Sequence, residues 1–268
     1  MKSVLLVADE NYFVPLVAQI NSILTNVPDA KIYLVHDLSD NSLAKVSPFL
    51  YKYEQFNPKG WEHMRDNKKR YITRTVLGKW QVEFIEEEKF LYLDTDIIVN
   101  NDFKFENTRT MRCEFKPVNI LPSKYEKNVR LMWEFIKKQN GVIEDKYEDI
   151  TIISDGAFFA DKEWLLKILV PKIQYCSKNM PQNYPDCWYG MGFFQGAIGL
   201  LGRPVSEWFV SQSLPYLEPE CDVEKTDFIH FAGTKKPWQE DSDNYLYKGA
   251  KIWWKYYTQG PIRSGDIR

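Results

Sequence analysis

The chemistry in this chain begins with two carboxylates. Asp94 and Asp96 stand two residues apart, after Phe90-Leu91-Tyr92-Leu93 and before Ile97-Ile98-Val99. In an extended segment side chains at i and i+2 project to one side, so the pair can share one hard divalent cation. The apolar residues on both sides put the charges at a sheet edge. Burial there without a counter-ion is expensive, and a metal relieves that cost. Asp241 and Asp243 repeat the spacing, as a chain of this acid content does by chance. That copy follows a polar loop with no strand before it and reads as a solvated turn.

A second constellation is His230-Phe231-Ala232-Gly233-Thr234-Lys235-Lys236-Pro237-Trp238. A neutral imidazole at a strand end can complete a mixed oxygen and nitrogen shell around a metal. Gly233 allows a phosphate to approach the backbone, and Lys236 supplies a point charge for it. On residue chemistry alone, a structural histidine and a surface lysine pair remain the alternative.

The elements that must position these groups follow from apolar periodicity. Val4 to Ala8 reads as a first strand, and Pro15 to Leu24 carries apolar residues at helical spacing, with Asn11 in place to cap it. Lys31 to His36 is a second strand and Asn41 to Leu50 a second amphipathic segment, so the opening is β-α-β-α. That order predicts an α/β fold with a mostly parallel sheet. Ligands in such sheets sit beyond the carboxyl ends of strands, which places Asp9, Glu10, Asn11 and Tyr12 near a ligand or in a simple βα turn. Phe90 to Leu93 is a buried strand that the two aspartates interrupt, with Ile97 to Val99 continuing its apolar character. Lys124 to Gln139 and Trp164 to Tyr175 read as helices, Thr151 to Ala160 as a strand kinked at Ser154-Asp155-Gly156, and Asp227 to Phe231 as a last strand. The basic run Arg65 to Arg74 is a weak signal that suits a solvated helix face.

Composition narrows the classes. With 268 residues, 44% apolar and 15% aromatic, the chain can bury a full core and is not disordered. Its formal net charge of −2 gives no global field for a nucleic-acid backbone, so no nucleic-acid partner is expected and an anionic ligand must be held locally. Cys113, Cys176, Cys187 and Cys221 lack a paired spacing and read as buried free thiols rather than a zinc site or a disulfide framework. The first apolar run is too short for a signal peptide. The longest weakly polar stretch, Met191 to Gly202, falls well short of a membrane span. These features predict a cytoplasmic, soluble or at most peripheral protein. Residues 241–268 close the chain and, from Tyr245 to Arg268, hold five basic residues against the single Asp266, with Trp253, Trp254, Tyr256 and Tyr257. They read as a tail appended to a single 1–240 domain, either packed on its surface or lying on the inner membrane face.

LYLDTDIIV at Leu91 to Val99 and HFAGTKKPW at His230 to Trp238, in that order, resemble the retaining nucleotide-sugar glycosyltransferases of family 8. Glycogenin and bacterial lipopolysaccharide galactosyltransferases belong to that family. The opening VLLVADENYFVPL and the segment RTVLGKW at Arg74 to Trp80 extend the resemblance from about residue 3 to residue 238. It implies a GT-A type, Rossmann-like nucleotide-binding fold with a central, mostly parallel mixed sheet. It further implies Asp94, Asp96 and His230 as ligands of Mn²⁺ or Mg²⁺, and Ala8, Asp9, Asn11 and Tyr12 around the uracil of UDP. Gly233 and Lys236 would lie on the diphosphate, and Arg74 toward the donor sugar.

Two departures stand out. Ser154, with Asp155 beside it, occupies a position where family members usually carry Asn. Phe194-Gln195-Gly196 replaces the usual Asp-Gln-Gly, removing a carboxylate that contacts donor-sugar hydroxyls in the family. Gln195 falls at the family position nearest the reacting anomeric carbon. It is a poor nucleophile, which fits a front-face displacement better than a covalent glycosyl-enzyme. Asp155 is a substitute sugar ligand, a nucleophile candidate or a satisfied core carboxylate. The expected activity is transfer of a hexose from a UDP-sugar to a glycan or lipid-linked acceptor in building a surface glycan or polysaccharide. A metal-dependent nucleotidyltransferase and a non-catalytic sugar-nucleotide-binding module are the rival readings.

Overall fold

The computed structural model describes residues 2–64, 73–104, 108–117, 126–180, 191–207, 212–213, 222–232, 236–239, 248–263 and 265. In chain order the elements are β1 (Ser3–Asp9), α1 (Phe13–Asn26), β2 (Lys31–Asp37), α2 (Asp40–Val46), β3 (Lys52–Gln55), β4 (Lys89–Leu93) and β5 (Ile97–Val99). Then come β6 (Met111–Pro117), α3 (Glu126–Lys138), β7 (Thr151–Asp161), α4 (Lys162–Trp164), α5 (Val170–Asn179) and α6 (Met191–Leu200). The last are β8 (Val205–Glu207), β9 (Gln212–Ser213), β10 (Phe228–His230) and α7 (Lys248–Gln259). The fold is mixed α/β. It divides into two compact units, one of Met1–Phe56, Leu93–Glu106 and Val210–Arg268, the other of Asn57–Tyr92 and Asn107–Phe209.

In the first unit β1, β2 and β3 are parallel, in the order β3-β2-β1, with Ser3 opposite Lys31 and Asp9 opposite Asp37. Every residue of β1 is buried. Its unbroken Val4-Leu5-Leu6-Val7-Ala8 run is what a strand of a parallel sheet requires. A 3₁₀ turn, Glu10–Tyr12, joins β1 to α1. Asn11, expected to cap α1, lies inside this turn; α1 follows Tyr12 with no side-chain cap, and it is the turn that Asp9 caps, its Oδ1 accepting the backbone N–H groups of Asn11 at 3.0 Å and Tyr12 at 3.3 Å. The strand ends on Asp9 and the turn starts at once, so the carboxylate sits at the orphan donors.

A second, three-stranded sheet of the same unit runs β5-β10-β9. β5 and β10 are antiparallel, with Phe228 opposite Val99, Ile229 opposite Ile98 and His230 opposite Ile97. Ile97 to Val99 is therefore a strand of a different sheet from β4, and the aspartates lie in a turn between them, closed by the Ile97 N–H donating to the Asp94 carbonyl at 3.0 Å. The two aspartates are thus brought together by a reverse turn and not by the pleat of one strand.

Residues 248–263 of the C-terminal segment are part of this unit's core. Trp253 and Tyr256 of α7 are buried with Ala18, Ile98, Val223, Ile229 and Phe231, while Trp254 and Tyr257 pack against that cluster. The aromatic side of the helix is thus committed to protein, while Lys251 and Lys255 remain exposed. The buried Asn21 of α1 fastens it: Nδ2 donates to the carbonyls of Tyr256 and Ile262, each at 2.9 Å, and Oδ1 accepts from the Ile262 N–H at 2.8 Å. No helix among the described residues is long and apolar enough to cross a membrane.

In the second unit the strand order is β4-β7-β6-β8, with β6 antiparallel to β7 and parallel to β8. The β6–β7 register shifts between Cys113, opposite Phe158, and Phe115, opposite Ile153. Ser154 to Ala157 therefore face the single residue Glu114. The expected kink at Ser154-Asp155-Gly156 is this bulge, inside a continuous eleven-residue strand. The glycine-rich Met191–Leu200 stretch is helix α6, and its glycines permit close packing. A Cβ on Gly196 would lie 3.2 Å from Cys176 Sγ, and one on Gly199 would lie 2.9 Å from the Ile136 side chain. Cys113 and Cys176 are free and buried, and burial pushes the Cys176 thiol up to about 12. Cys187 and Cys221 lie outside the described residues, as do Asp241 and Asp243 and most of the basic run.

Truncating Asn21 would strand two carbonyls and one N–H in the α1–α7 interface, each costing of order 1–3 kcal/mol if no water replaces the partner. Asn21→Ala is expected to lower stability by about 2–4 kcal/mol, read as a fall in the urea midpoint. A loss under about 0.5 kcal/mol would show that α7 is not fastened to the core through this residue.

Candidate metal and nucleotide site

The pairing of β5 with β10 brings together residues more than 130 positions apart. Because His230 pairs with Ile97, it arrives beside Asp96, and the Phe231 N–H extends the ladder by donating to the Asp96 carbonyl at 2.9 Å. Ile229 and Phe231 enter the core with Trp253, leaving the alternate residue His230 on the opposite face. The ligating atoms of Asp94, Asp96 and His230 lie within 4.8 Å of one another. His230 Nε2 is 3.3 Å from Asp96 Oδ1, a buried oxygen that makes no hydrogen bond among the described residues. Two carboxylates and an imidazole, with one such orphaned oxygen, fit a hard divalent cation.

The other Asp96 oxygen is occupied. Lys236 Nζ donates to Asp96 Oδ2 at 2.5 Å and to the Phe231 carbonyl at 2.6 Å. The Lys236 backbone is fixed in turn by Gln239, whose Oε1 accepts its N–H at 3.2 Å. The side chains of Asp96, His230 and Lys236 are only 13%, 11% and 11% exposed. Burial works against the charge of Asp96. The Lys236 ammonium and then His230 outweigh it and hold the carboxyl well below the usual carboxylate range.

A polar stripe on α1 straps the backbone of 94–99, and periodicity gave no sign of it. Gln19 Nε2 donates to the Asp94 carbonyl at 2.7 Å, Ser22 Oγ accepts the Val99 N–H at 3.1 Å, and Asn26 Nδ2 donates to the Val99 carbonyl at 2.9 Å. Thr95 Oγ1 adds a bond to the Val7 carbonyl at 2.5 Å. Gln, Ser and Asn at i, i+3 and i+7 on a mostly apolar helix are the signal that could have found this stripe.

At the end of β1, Ala8 and Asp9 are buried, Tyr12 is half-buried and Asn11 is exposed. Glu10 is committed to the start of α2: its carboxylate accepts from Ser42 Oγ at 2.6 Å and from the Ser39 N–H at 3.0 Å. Tyr12 lies edge-on to Trp238, with centroids 6.4 Å apart. Burial, then the charges of Asp96, Asp94 and Asp9, push its phenol well above its ordinary value, so the ring stays neutral. Gly233 lies outside the described residues.

The remaining candidates lie in the second unit. Arg74 begins the 3₁₀ segment Arg74–Trp80 and is half-buried. Ser154, Asp155 and Gln195 are all buried. Gln195 Nε2 donates to the Ile153 carbonyl at 2.6 Å. Asp155 Oδ2 is 2.8 Å from Lys79 Nζ, both side chains being almost wholly buried. Sequence reasoning missed Lys79, although a lone lysine between Gly78 and the large apolar Trp80 already asks for an acidic partner. Phe194 is fully buried and stacks on Trp80 with centroids 5.7 Å apart. The position where the family carries an acid is core.

The α/β scaffold is of GT-A type, and it carries a carboxylate–imidazole cluster in its first unit. The family model described as glycosyl transferase family 8 matches residues 3–148, more than half of the chain, and the protein belongs to that family. Among solved structures, the galactosyltransferase LgtC in complex with donor and acceptor sugar analogues is 16% identical, over 97% of this chain and 96% of that one, with a TM-score of 0.68. The bifunctional glycosyltransferase WbbM is 12% identical over 99% of this chain and 51% of that one, with a TM-score of 0.65. The glycosyltransferase GlyE of Streptococcus pneumoniae TIGR4 is 14% identical over 96% and 61%, with a TM-score of 0.60. At these identities the likeness carries the fold. No curated protein matches the sequence.

Removing one member of a buried ion pair leaves an uncompensated charge, whereas replacing both with apolar residues is close to neutral. Lys79→Met is therefore expected to cost about 3–5 kcal/mol of stability, and adding Asp155→Leu to recover most of it. Equal losses in the single and double variants, measured by chemical denaturation, would show that the pair does not act as a unit.

Proposed function

We propose that the protein is a retaining, divalent-metal-dependent glycosyltransferase that moves a hexose from a UDP-sugar to a glycan or lipid-linked acceptor, in building a surface glycan or polysaccharide. The observation that carries this reading is the Asp94, Asp96 and His230 cluster, with Lys236 on its second oxygen, in a member of family 8. Mn²⁺ or Mg²⁺ held there supplies Lewis-acid stabilisation of the charge that appears on the departing diphosphate.

The protein's own groups divide the remaining work. Tyr12, neutral and half-buried, offers a π-face to uracil. Asp9, Asn11 and the Ala8 backbone offer hydrogen bonds around it. Lys236 and the Gly233 backbone meet the diphosphate, and an ammonium aimed at that charge acts more strongly in a dry site than in water. Arg74 and Ser154 are assigned to the donor sugar. Gln195 and Asp155 are the candidates for the anomeric side. Asp155 is held by Lys79 and Gln195 is an amide, so neither favours a covalent glycosyl-enzyme. In the front-face displacement that follows, the acceptor oxygen bonds to the anomeric carbon. The carbon–oxygen bond to the β-phosphate breaks with its electrons on UDP, and that phosphate oxygen takes the acceptor proton. A cytoplasmic setting, with the exposed Lys251 and Lys255 available to an anionic inner membrane surface, belongs to the same proposal.

UDP release from a panel of UDP-hexoses, with and without Mn²⁺, tests the reading. Turnover of at least one donor is expected with metal and not without it. Asp94→Ala is expected to lower kcat/KM about a thousandfold or more, in line with the several kcal/mol a bound cation contributes. Full turnover by Asp94→Ala, or pyrophosphate release from an NTP in place of UDP release, would overturn it. Tyr12→Ala is expected to weaken UDP binding by about tenfold, as loss of base stacking does. An unchanged Kd in that variant, measured by calorimetry, would remove the stacking role.

A further inference from the structure

The charges around Asp96 suit a cation accompanied by an anion better than a cation alone. Asp94 and Asp96 are two carboxylates, His230 is an imidazole that ligates in its neutral form, and Lys236 is an ammonium bound to Asp96 Oδ2 at 2.5 Å. The four groups together carry a net charge of about −1. A divalent cation alone turns that into a net positive charge in a site whose side chains are barely exposed. A diphosphate brings two or three negative charges and reverses the imbalance. Lys236 cannot move aside cheaply, because Nζ is also bound to the Phe231 carbonyl and its backbone N–H to Gln239. An ammonium and a divalent cation sharing one carboxylate repel. At an effective dielectric of about 20 that repulsion exceeds a tenfold change in affinity.

We propose that Lys236 is a charge counterweight that makes cation binding contingent on the donor diphosphate: it keeps the cation weakly held until a nucleoside diphosphate arrives whose charge offsets both. By linkage, the cation raises affinity for the nucleotide by the same factor. Loading of the site is then set by the donor rather than by the free metal. The inference rests on the metal and donor reading above. It adds a role for Lys236 that a simple phosphate contact does not have, because a phosphate contact leaves the affinity for the cation alone unchanged.

The test is to titrate Mn²⁺ with and without UDP into wild type, Lys236→Met and Lys236→Arg, reading bound metal by calorimetry and by loss of the free-ion EPR signal. In wild type UDP is expected to tighten Mn²⁺ by about tenfold or more. Lys236→Met is expected to bind Mn²⁺ alone about tenfold or more tightly than wild type, and to gain correspondingly less from UDP. Lys236→Arg, which keeps the charge, is expected to retain the wild-type dependence on UDP. An Mn²⁺ affinity in Lys236→Met that is no tighter than wild type overturns the proposal. If the methionine variant does not fold, the arginine variant decides: loss of the UDP dependence there overturns it equally. A wild type that binds no Mn²⁺ even with UDP overturns the metal reading itself, whereas normal wild-type coupling with an unchanged Lys236→Met overturns the counterweight alone.

Discussion

The organisation of the first unit depends on keeping the carboxylate of Asp96 charged where little water reaches it. An isolated buried carboxylate neutralises itself by taking a proton, so this one needs cationic or donor groups within bonding distance. Lys236 and His230 provide them, and neither is a sequence neighbour. The chain must carry His230 back across more than a hundred residues with an error below about an ångström. It does so with three antiparallel pairs between β5 and β10. A slip of one residue would turn His230 into the core and Ile229 into the site.

So short a ladder cannot hold itself, and the rest of the unit holds it. On one side the Gln19, Ser22 and Asn26 stripe of α1 binds the backbone of 94–99 directly. On the other, Ile98, Ile229 and Phe231 are locked by Trp253 and Tyr256. Asn26 joins the two supports, since its amide also reaches Tyr256 Oη at 2.7 Å. The aromatic helix α7 is therefore part of the support for Asp96 and His230, because it completes the apolar cluster against which Ile98, Ile229 and Phe231 pack. Positioning by buried hydrogen bonds on rigid elements keeps a ligand set closer to its working geometry than loops alone can.

Much of this was legible in the sequence, for physical reasons. The parallel β1–β2 pair was readable because a short continuous apolar run bounded by polar residues suits a buried strand, and Asp94 and Asp96 stood out because charge beside aliphatic strands is costly without purpose, whereas their meeting with His230 was implied by the family resemblance alone. The bulge at Ser154 to Ala157 was visible as polar residues breaking a strand. What was not legible depended on partners distant in sequence. The residues left Asp155 open between a sugar ligand, a nucleophile candidate and a satisfied core carboxylate, and its pairing with Lys79 at 2.8 Å was not legible because no local pattern links residues 79 and 155. Aromatic and basic residues in α7 suit a lipid interface and a protein core alike. Only the packing of Trp253 on Ala18 and Ile98 decides between them, and it places the ring in the core. Asn11 does not cap α1, because the strand runs on to Asp9 and a 3₁₀ turn capped by Asp9 takes up Asn11 before the helix begins.

Phe194 shows what such a scaffold allows to change. A carboxylate at that position would have to share a fully buried space with Trp80 and Phe158, whose rings stack at 5.5 Å. Phenylalanine instead continues the aromatic stack, and the acid nearest in type, Asp155, is neutralised by Lys79 whose ammonium also lies 5.3 Å from the Tyr92 ring centroid. In the second unit Phe194 thus serves packing, while in the first Asp94, Asp96 and His230 stand close enough to hold one ion. A metal site tolerates no loss of ligand charge without losing the ion, whereas sugar recognition rests on several hydrogen bonds that can be redistributed among new partners.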